Sequence, residues 1–166
     1  MTLWDDTGHI VTYMNTERKL RGNDFFAGHA VFSLDEAAAA LLPEGKRLRV
    51  VERLKHHLRT GRLKRVTREI YAVVPLALSP EDFRPDPFLV ASAMYPDGVF
   101  SHHSALELLG AAHSLWNQCT LYVNRRRRPL QLEGATLRFL DLPISMKGDS
   151  GKQVGTRRIE RQGKLL

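Results

Sequence analysis

The stretch SLDEAAAALLPEGKRLRVVERLKHHLRTGRLKRVTREIYAVV, residues 33–74, decides the reading of the fold. It opens on Ser33, a good helix N-cap, and Glu36 three residues later completes a capping box. Leu34 to Leu42 is rich in alanine and leucine, which predicts a helix. Pro43-Glu44-Gly45 then predicts a turn. A second helix is expected from Lys46 to Thr60, stopped by Gly61 as its C′ residue. Its apolar stripe is narrow: Leu48, Val51, Leu54 and Leu58. Leu63–Val66 and Ile70–Val73 alternate as two short strands around Thr67-Arg68-Glu69, a small hairpin closed by Pro75. Helix, tight turn, basic helix and basic hairpin, in that order, spell a winged helix-turn-helix.

Charge singles out the same stretch. The chain of 166 residues carries a formal net charge of +7, a balance that favours polyanionic partners. Residues 1–75 hold 13 Lys and Arg against 9 Asp and Glu, and residues 46–68 hold 10 of those 13 with Glu52 as the only acid. The rest of the N-terminal half is acidic on balance, so the positive charge is focused on one helix and the hairpin after it.

That focus fits groove reading. A helix entering a major groove about 12 Å wide must be held to its domain by a thin seam, with donors elsewhere for phosphates and base edges. Lys46, Arg47, Arg49 and Arg53 lie toward the N-terminal part of the helix, the end that usually meets bases in this motif. Lys55, Arg59, Arg62, Lys64, Arg65 and Arg68 are candidates for phosphate. The expected partner is double-stranded DNA. The competing reading is a solvated basic face, and for His56 and His57 a surface role outweighs a ligand role.

Around this unit, residues 1–14 read as a lead-in and Thr16–Ala27 as a helix weakened by Gly22. The first unit is expected over residues 1–77. Ser79 to Pro85 reads as a proline-rich linker. A second, α/β unit is expected over residues 86–166, giving an α+β chain whose second sheet is mostly antiparallel. It starts at Asp86, an N-cap, with Pro87 at the first helical position and a helix from Phe88 to Tyr95. Val99-Phe100 is a short strand, and Ser101 caps a helix through Leu109, ended by Gly110. Strands follow at Cys119–Val123, Leu130–Leu132 and Ala135–Phe139, and Arg125 to Arg128 fall in the turn after the first of them. These four arginines are a second candidate polyanion contact, weighed against a solvated hairpin turn. One further strand is read near Val154–Ile159 in the glycine-rich tail.

The remaining features mostly exclude. One cysteine, Cys119, builds neither a disulfide nor a cysteine metal site. No stretch approaches the ~18 apolar residues of a membrane span, and the acidic start Met1-Thr-Leu-Trp-Asp-Asp is unlike a signal peptide. A cytoplasmic location is therefore expected. His113 and Gly148-Asp149-Ser150-Gly151 echo serine-protease segments, but 37 positions cannot hold the scaffold a triad needs. Gly151-Lys152 lacks the rest of a phosphate-binding loop. His102 and His103 are adjacent, so their side chains diverge. No enzyme, metal or cofactor is expected.

The chain also resembles a known family. Val31-Phe32-Ser33-Leu34-Asp35-Glu36-Ala37 is similar to the opening of the winged-helix domain of the AbiEi family of abortive-infection antitoxins, and Gly61-Arg62-Leu63 through Ile70-Tyr71-Ala72-Val73 to its wing. Phe100-Ser101-His102-His103-Ser104-Ala105-Leu106-Glu107-Leu108-Leu109-Gly110 resembles the family's Ser-His-x-Ser-Ala-Leu signature, and Asp86–Ala91 the helix before it. The resemblance spans roughly residues 28–142. It implies a type IV toxin–antitoxin protein: a winged helix that represses its own operon and a C-terminal domain that counters a nucleotidyltransferase toxin. No long heptad stripe is present to hold a dimer, so monomers on repeated half-sites in the promoter are expected. In that setting Arg125–Arg128 would meet flanking DNA or an RNA-related surface of the toxin system. Leu109 stands where the family often has histidine, and family members usually continue into a further helical stretch, so the C-terminal domain is expected to be incomplete in this chain. The alternative is a protein-interaction module that docks a toxin without sequence-specific DNA binding.

Overall fold

The structure is a computed structural model that describes residues 24–42 and 47–144, together with the backbone of 160–161 and 164–165. Residues 24–28 are helical; the rest of the helix read at Thr16–Ala27 lies outside the described residues. So do Lys46, the Pro43–Gly45 turn, Ser150 and the strand read at Val154–Ile159.

The elements in order are β1 (Val31–Ser33), α1 (Leu34–Leu41), α2 (Arg47–Arg59), β2 (Leu63–Arg65), β3 (Ile70–Val73), α3 (Pro87–Met94), β4 (Val99–Phe100), α4 (His102–Leu108), β5 (Gln118–Val123), β6 (Leu130–Leu132), β7 (Ala135–Asp141), β8 (Glu160–Arg161) and β9 (Lys164–Leu165). The fold is mixed α+β. The helix ends follow the local chemistry of the sequence. Ser33 Oγ accepts the Glu36 N–H at 3.2 Å and Glu36 accepts the Ser33 N–H at 2.6 Å, a closed capping box. Asp86 Oδ1 accepts the Phe88 N–H at 2.8 Å, with Pro87 beside it at the start of α3. Helix α2 ends in a Schellman motif: Gly61 N–H donates to Leu58 O and Arg62 N–H to His57 O. Gly61 sits at φ 70°, where a Cβ would also press on Pro80 at 3.1 Å. Ser101 is the exception. It stands at the N-cap of α4 without capping it, because its backbone pairs with Thr120 of β5 and its hydroxyl faces the His102 ring at 3.1 Å.

Three strands form an antiparallel sheet in the order β1-β3-β2. The pleat sends alternate side chains to opposite faces. Phe32, Tyr71 and Leu63 face α1 and α2 and close a cluster with Leu34, Ala37, Leu41, Val50 and Leu54. Phe32 and Tyr71 are cross-strand partners whose rings stack at 5.9 Å. Val31, Ala72 and Ile70 face the other way, into a second cluster.

That second cluster is built around α3. Phe88, Leu89, Val90, Ala91, Ser92 and Ala93 are six consecutive buried residues, so α3 is covered on every side. One side meets β1 and β3; the other meets β5 and β7. The one polar side chain in this run, Ser92, donates back to Leu89 O at 3.2 Å. The second sheet has the order β4-β5-β7-β6. Its outer pairs are antiparallel, but the central pair β5–β7 is parallel over six residues. The pairing corrects one expectation. Arg125–Arg128 are not a hairpin turn, because β5 and β6 are not neighbours; the segment crosses over β7 instead. The proline-rich segment 79–85 is also packed rather than free: Phe83 reaches the shared cluster and its carbonyl accepts from Lys64 at 2.9 Å.

Among the described residues no helix is long and apolar enough to cross a membrane. Leu89 is 1% exposed at the centre of the shared cluster. Leu89→Ala should cost about 2–5 kcal/mol, and hydrogen exchange should show both sheets losing protection together rather than one before the other.

Candidate nucleic-acid interface

Helix α2 is held by a seam still thinner than its sequence suggests. Only Val50 and Leu54 are buried, with Val51, His57 and Leu58 half-buried beside them. The expected stripe is corrected at one end: Leu48 is 70% exposed, and Val50 takes its place against the core. The helical angle explains the exchange. Counting 100° per residue, Val50 and Leu58 lie about 40° either side of Leu54, whereas Leu48 lies about 120° away. The outward face therefore carries Leu48, Arg49, Glu52, Lys55, His56 and Arg59, all exposed. Arg53, half-buried, lies at its flank.

The ten basic residues read from the sequence divide into groups, Lys46 lying outside the described residues. Arg49, Arg59 and Arg68 are exposed and, among the described residues, enter no ion pair. Arg47 is engaged inside the unit: its guanidinium lies 3.2 Å from Asp35 and 2.9 Å from Glu69, linking α2 to α1 and to the hairpin. Arg65 donates to Thr67 O and Arg68 O and so staples the turn of the hairpin. Arg62 lies over the Phe26 ring at 5.2 Å. Lys55 pairs with Glu52 at 2.6 Å on the helix surface.

Lys64 is the most altered by its setting. Its side chain is 20% exposed, and its ammonium donates to Phe83 O and to Glu133, each at 2.9 Å. Arg84 meets the same carboxylate at 2.8 Å. The hydrogen bond from Lys64 holds the Glu133 carboxyl below its ordinary value; desolvation opposes it, and the charges of Arg84 and Lys64 add to the lowering. This cluster joins β2 to the β6–β7 turn across a gap of 69 residues in sequence. It had no signal in the sequence, because Glu133 is an isolated acid beside a glycine.

Two outward residues were missed as candidates. Leu48 was assigned to the seam, yet it projects beside Arg49 where an apolar side chain can meet a thymine methyl. Glu52 can accept from a cytosine amino group once Lys55 is displaced. An i, i+4 count from Leu54 would have exposed both. The second half contributes a different surface. Arg125, Arg126, Arg127 and Arg128 are all exposed and, among the described residues, carry no ion pair. The His102 and His103 rings are engaged separately, His102 with Ser101 and His103 with Ser114 at 3.2 Å while stacked on Trp116 at 4.6 Å. No group of three or more metal-ligating side chains gathers among the described residues.

No protein-family model matches the chain, and no curated protein matches its sequence.

His57 ties the stability of this unit to pH. Its ring edge meets Phe26 at 4.9 Å. Burial lowers its imidazole below the ordinary 6.5, helped by the charges of Arg62, His56 and Arg53. As pH falls below about 6.5 the unfolded chain takes up this proton first, so stability is held above that value and declines as pH falls through the depressed folded value. Urea titrations at pH 7.5 and 5.5 should show this loss, and His57→Gln should reduce it. Lys64→Met should lower the urea midpoint while leaving any affinity for duplex DNA within about twofold, since its half-buried ammonium is already held by Phe83 O and Glu133; a large affinity loss without a stability change would assign Lys64 to DNA contact instead.

Proposed function

We propose that the chain is a DNA-binding transcriptional regulator of the winged helix-turn-helix type, with α2 as the reading helix and the β2–β3 hairpin as the wing. The observation that carries the reading is the seam of α2. Two buried side chains hold a thirteen-residue helix, and its outward face offers Arg49 and Arg59 with Arg68 at the adjoining hairpin turn. Such a helix can enter a major groove without unpacking its domain. In this reading Leu48, Arg49, Glu52 and Arg53 would meet base edges, and Arg59 and Arg68 phosphates. Arg47, Lys64 and Arg65 act by positioning these elements.

The wider reading follows from the family resemblance. The protein would be the antitoxin of a type IV toxin–antitoxin pair, acting in the cytoplasm on repeated half-sites in its own promoter and counteracting a nucleotidyltransferase toxin. Neither role calls for catalysis or a cofactor. A second reading has its own support: Leu106, Leu109, Leu115 and Trp116 are exposed apolar side chains around the end of α4, which favours a protein-docking role. A pull-down with the neighbouring gene product beside a gel shift separates the two.

The decisive experiment is fluorescence anisotropy on the chain's own upstream DNA. Binding should weaken steeply with salt, by about 0.9 in log–log slope for each phosphate contact. Arg49→Ala should remove about 1–3 kcal/mol of discrimination between the promoter and a scrambled duplex. Undetectable or salt-independent binding to that DNA would overturn the regulator reading.

A further inference from the structure

The four arginines after β5 occupy a strap whose course the sheet dictates. Strand β5 ends at Val123, level with Asp141 at the end of β7. Strand β6 begins at Leu130, level with Leu137, on the opposite side of β7. Residues 124–129 therefore pass over β7, near its C-terminal end, to reach its far side. The crossing spans two strand spacings, about 10 Å, and the descent four residues, about 13 Å. Seven links of chain reach roughly 24 Å at full extension. The two ends are about 16 Å apart in a straight line, so the strap is not fully stretched; it bends at Asn124 and Arg125 and leaves its arginines exposed one after another. The Arg126 N–H donates to Asp141 Oδ1 at 2.9 Å, and the Leu142 N–H to Val123 O at 3.1 Å, so the strap is pinned at its start. With one Asp141 oxygen held by a backbone group, Arg125, Arg126, Arg127 and Arg128 stand exposed without ion-pair partners among the described residues.

The layers place this strap away from α2. Helix α2 covers one face of the β1-β3-β2 sheet; α3 covers the other; the β4-β5-β7-β6 sheet lies beyond α3. The β6–β7 turn approaches β2, where Glu133 meets Lys64, but the strap crosses the opposite end of β7, six residues or about 20 Å from that turn. The outward face of α2 is turned away from α3 and the second sheet, so a straight duplex seated on it is directed away from the strap.

The geometry points to a second, separate nucleic-acid site: Arg125–Arg128 clamp the phosphate backbone of a DNA segment other than the one on α2, so that one chain bridges two segments. The contact is made by guanidinium groups on a strap with no groove-reading element, so it is blind to sequence. The inference rests on the regulator reading for the first segment but not for the second.

The test uses the full chain, a generic duplex without promoter sequence, and three variants. One is Arg49→Ala with Arg59→Ala. The second replaces Arg125–Arg128 by glutamine, and the third replaces the same four by lysine. In the Arg49→Ala, Arg59→Ala background, binding to the generic duplex should persist and should fall up to about 100-fold between 50 and 200 mM salt, as four phosphate contacts require. Adding the four glutamines should abolish it; adding the four lysines should retain most of it, with circular dichroism confirming that each variant folds. Wild type immobilised on promoter DNA should then retain a second, labelled duplex, and the glutamine variant should not. Unchanged residual binding after the glutamine substitutions overturns the proposal. So does stronger capture of poly-glutamate than of duplex, which assigns the strap to an acidic protein. If Arg49→Ala with Arg59→Ala leaves promoter binding intact while the glutamine variant loses duplex binding, it is the reading of α2 that fails and not that of the strap.

Discussion

Everything in this structure leans on the burial of α3. A helix with water on one side needs a polar face; α3 has none, and Phe88 through Ala93 all lie inside. Two sheets must cover it, and each supplies one wall. Val31, Ile70 and Ala72 come from the first sheet, and Cys119, Leu121, Val123, Leu137 and Phe139 from the second. Neither wall can leave without exposing a contiguous apolar surface. The stretch between the halves is correspondingly occupied, with Phe83 against the shared cluster and Lys64, Arg84 and Glu133 drawn together beside it. Motion of one half relative to the other would have to break this cluster first.

The rigidity bears on the surface chemistry. The basic residues around α2 are sorted by what the scaffold already uses. Arg47, Lys64 and Arg65 hold elements in place, so their charge is spent within the molecule. Arg49, Arg59 and Arg68 remain turned outward. The same sorting separates the arginines of the strap, which no acid side chain neutralises among the described residues, from Arg84, which Glu133 does. Charge counts treat these side chains alike; their neighbours do not.

Local chemistry was legible in the sequence, and long-range chemistry was not. Ser33 with Glu36, Asp86 with Pro87, and Gly61 and Gly110 at helix ends work over four residues or fewer, and each marks a boundary where the structure has one. The strands from Leu63 to Phe139 followed from alternation. The seam of α2 departs from the expected stripe at Leu48 because three-residue and four-residue steps both fit a short stripe; the four-residue step back from Leu54 reaches Val50 and leaves Leu48 outside. The parallel pairing of β5 with β7 leaves no mark on either strand, since antiparallel and parallel strands alternate alike. The role of Lys64 depends on Glu133, an acid no local pattern connects to it. The burial of α3 does have a local signal, eight residues with Ser92 as the only polar side chain.

Strand β1 has a consequence of its own for how this chain can vary. Val31 and Phe32 are neighbours in sequence, yet Val31 belongs to the cluster around α3 and Phe32 to the cluster under α2. Three residues thus set the phase for both halves at once. Exchanging either side chain for another apolar one disturbs a single cluster. Inserting or deleting one residue here would turn both over together, sending phenylalanine toward α3 and valine toward the aromatic stack on Tyr71. The segment from Ala30 to Leu34 should therefore accept substitution in descendants of this gene while keeping its length fixed, and changes in length should accumulate in the surface loops instead.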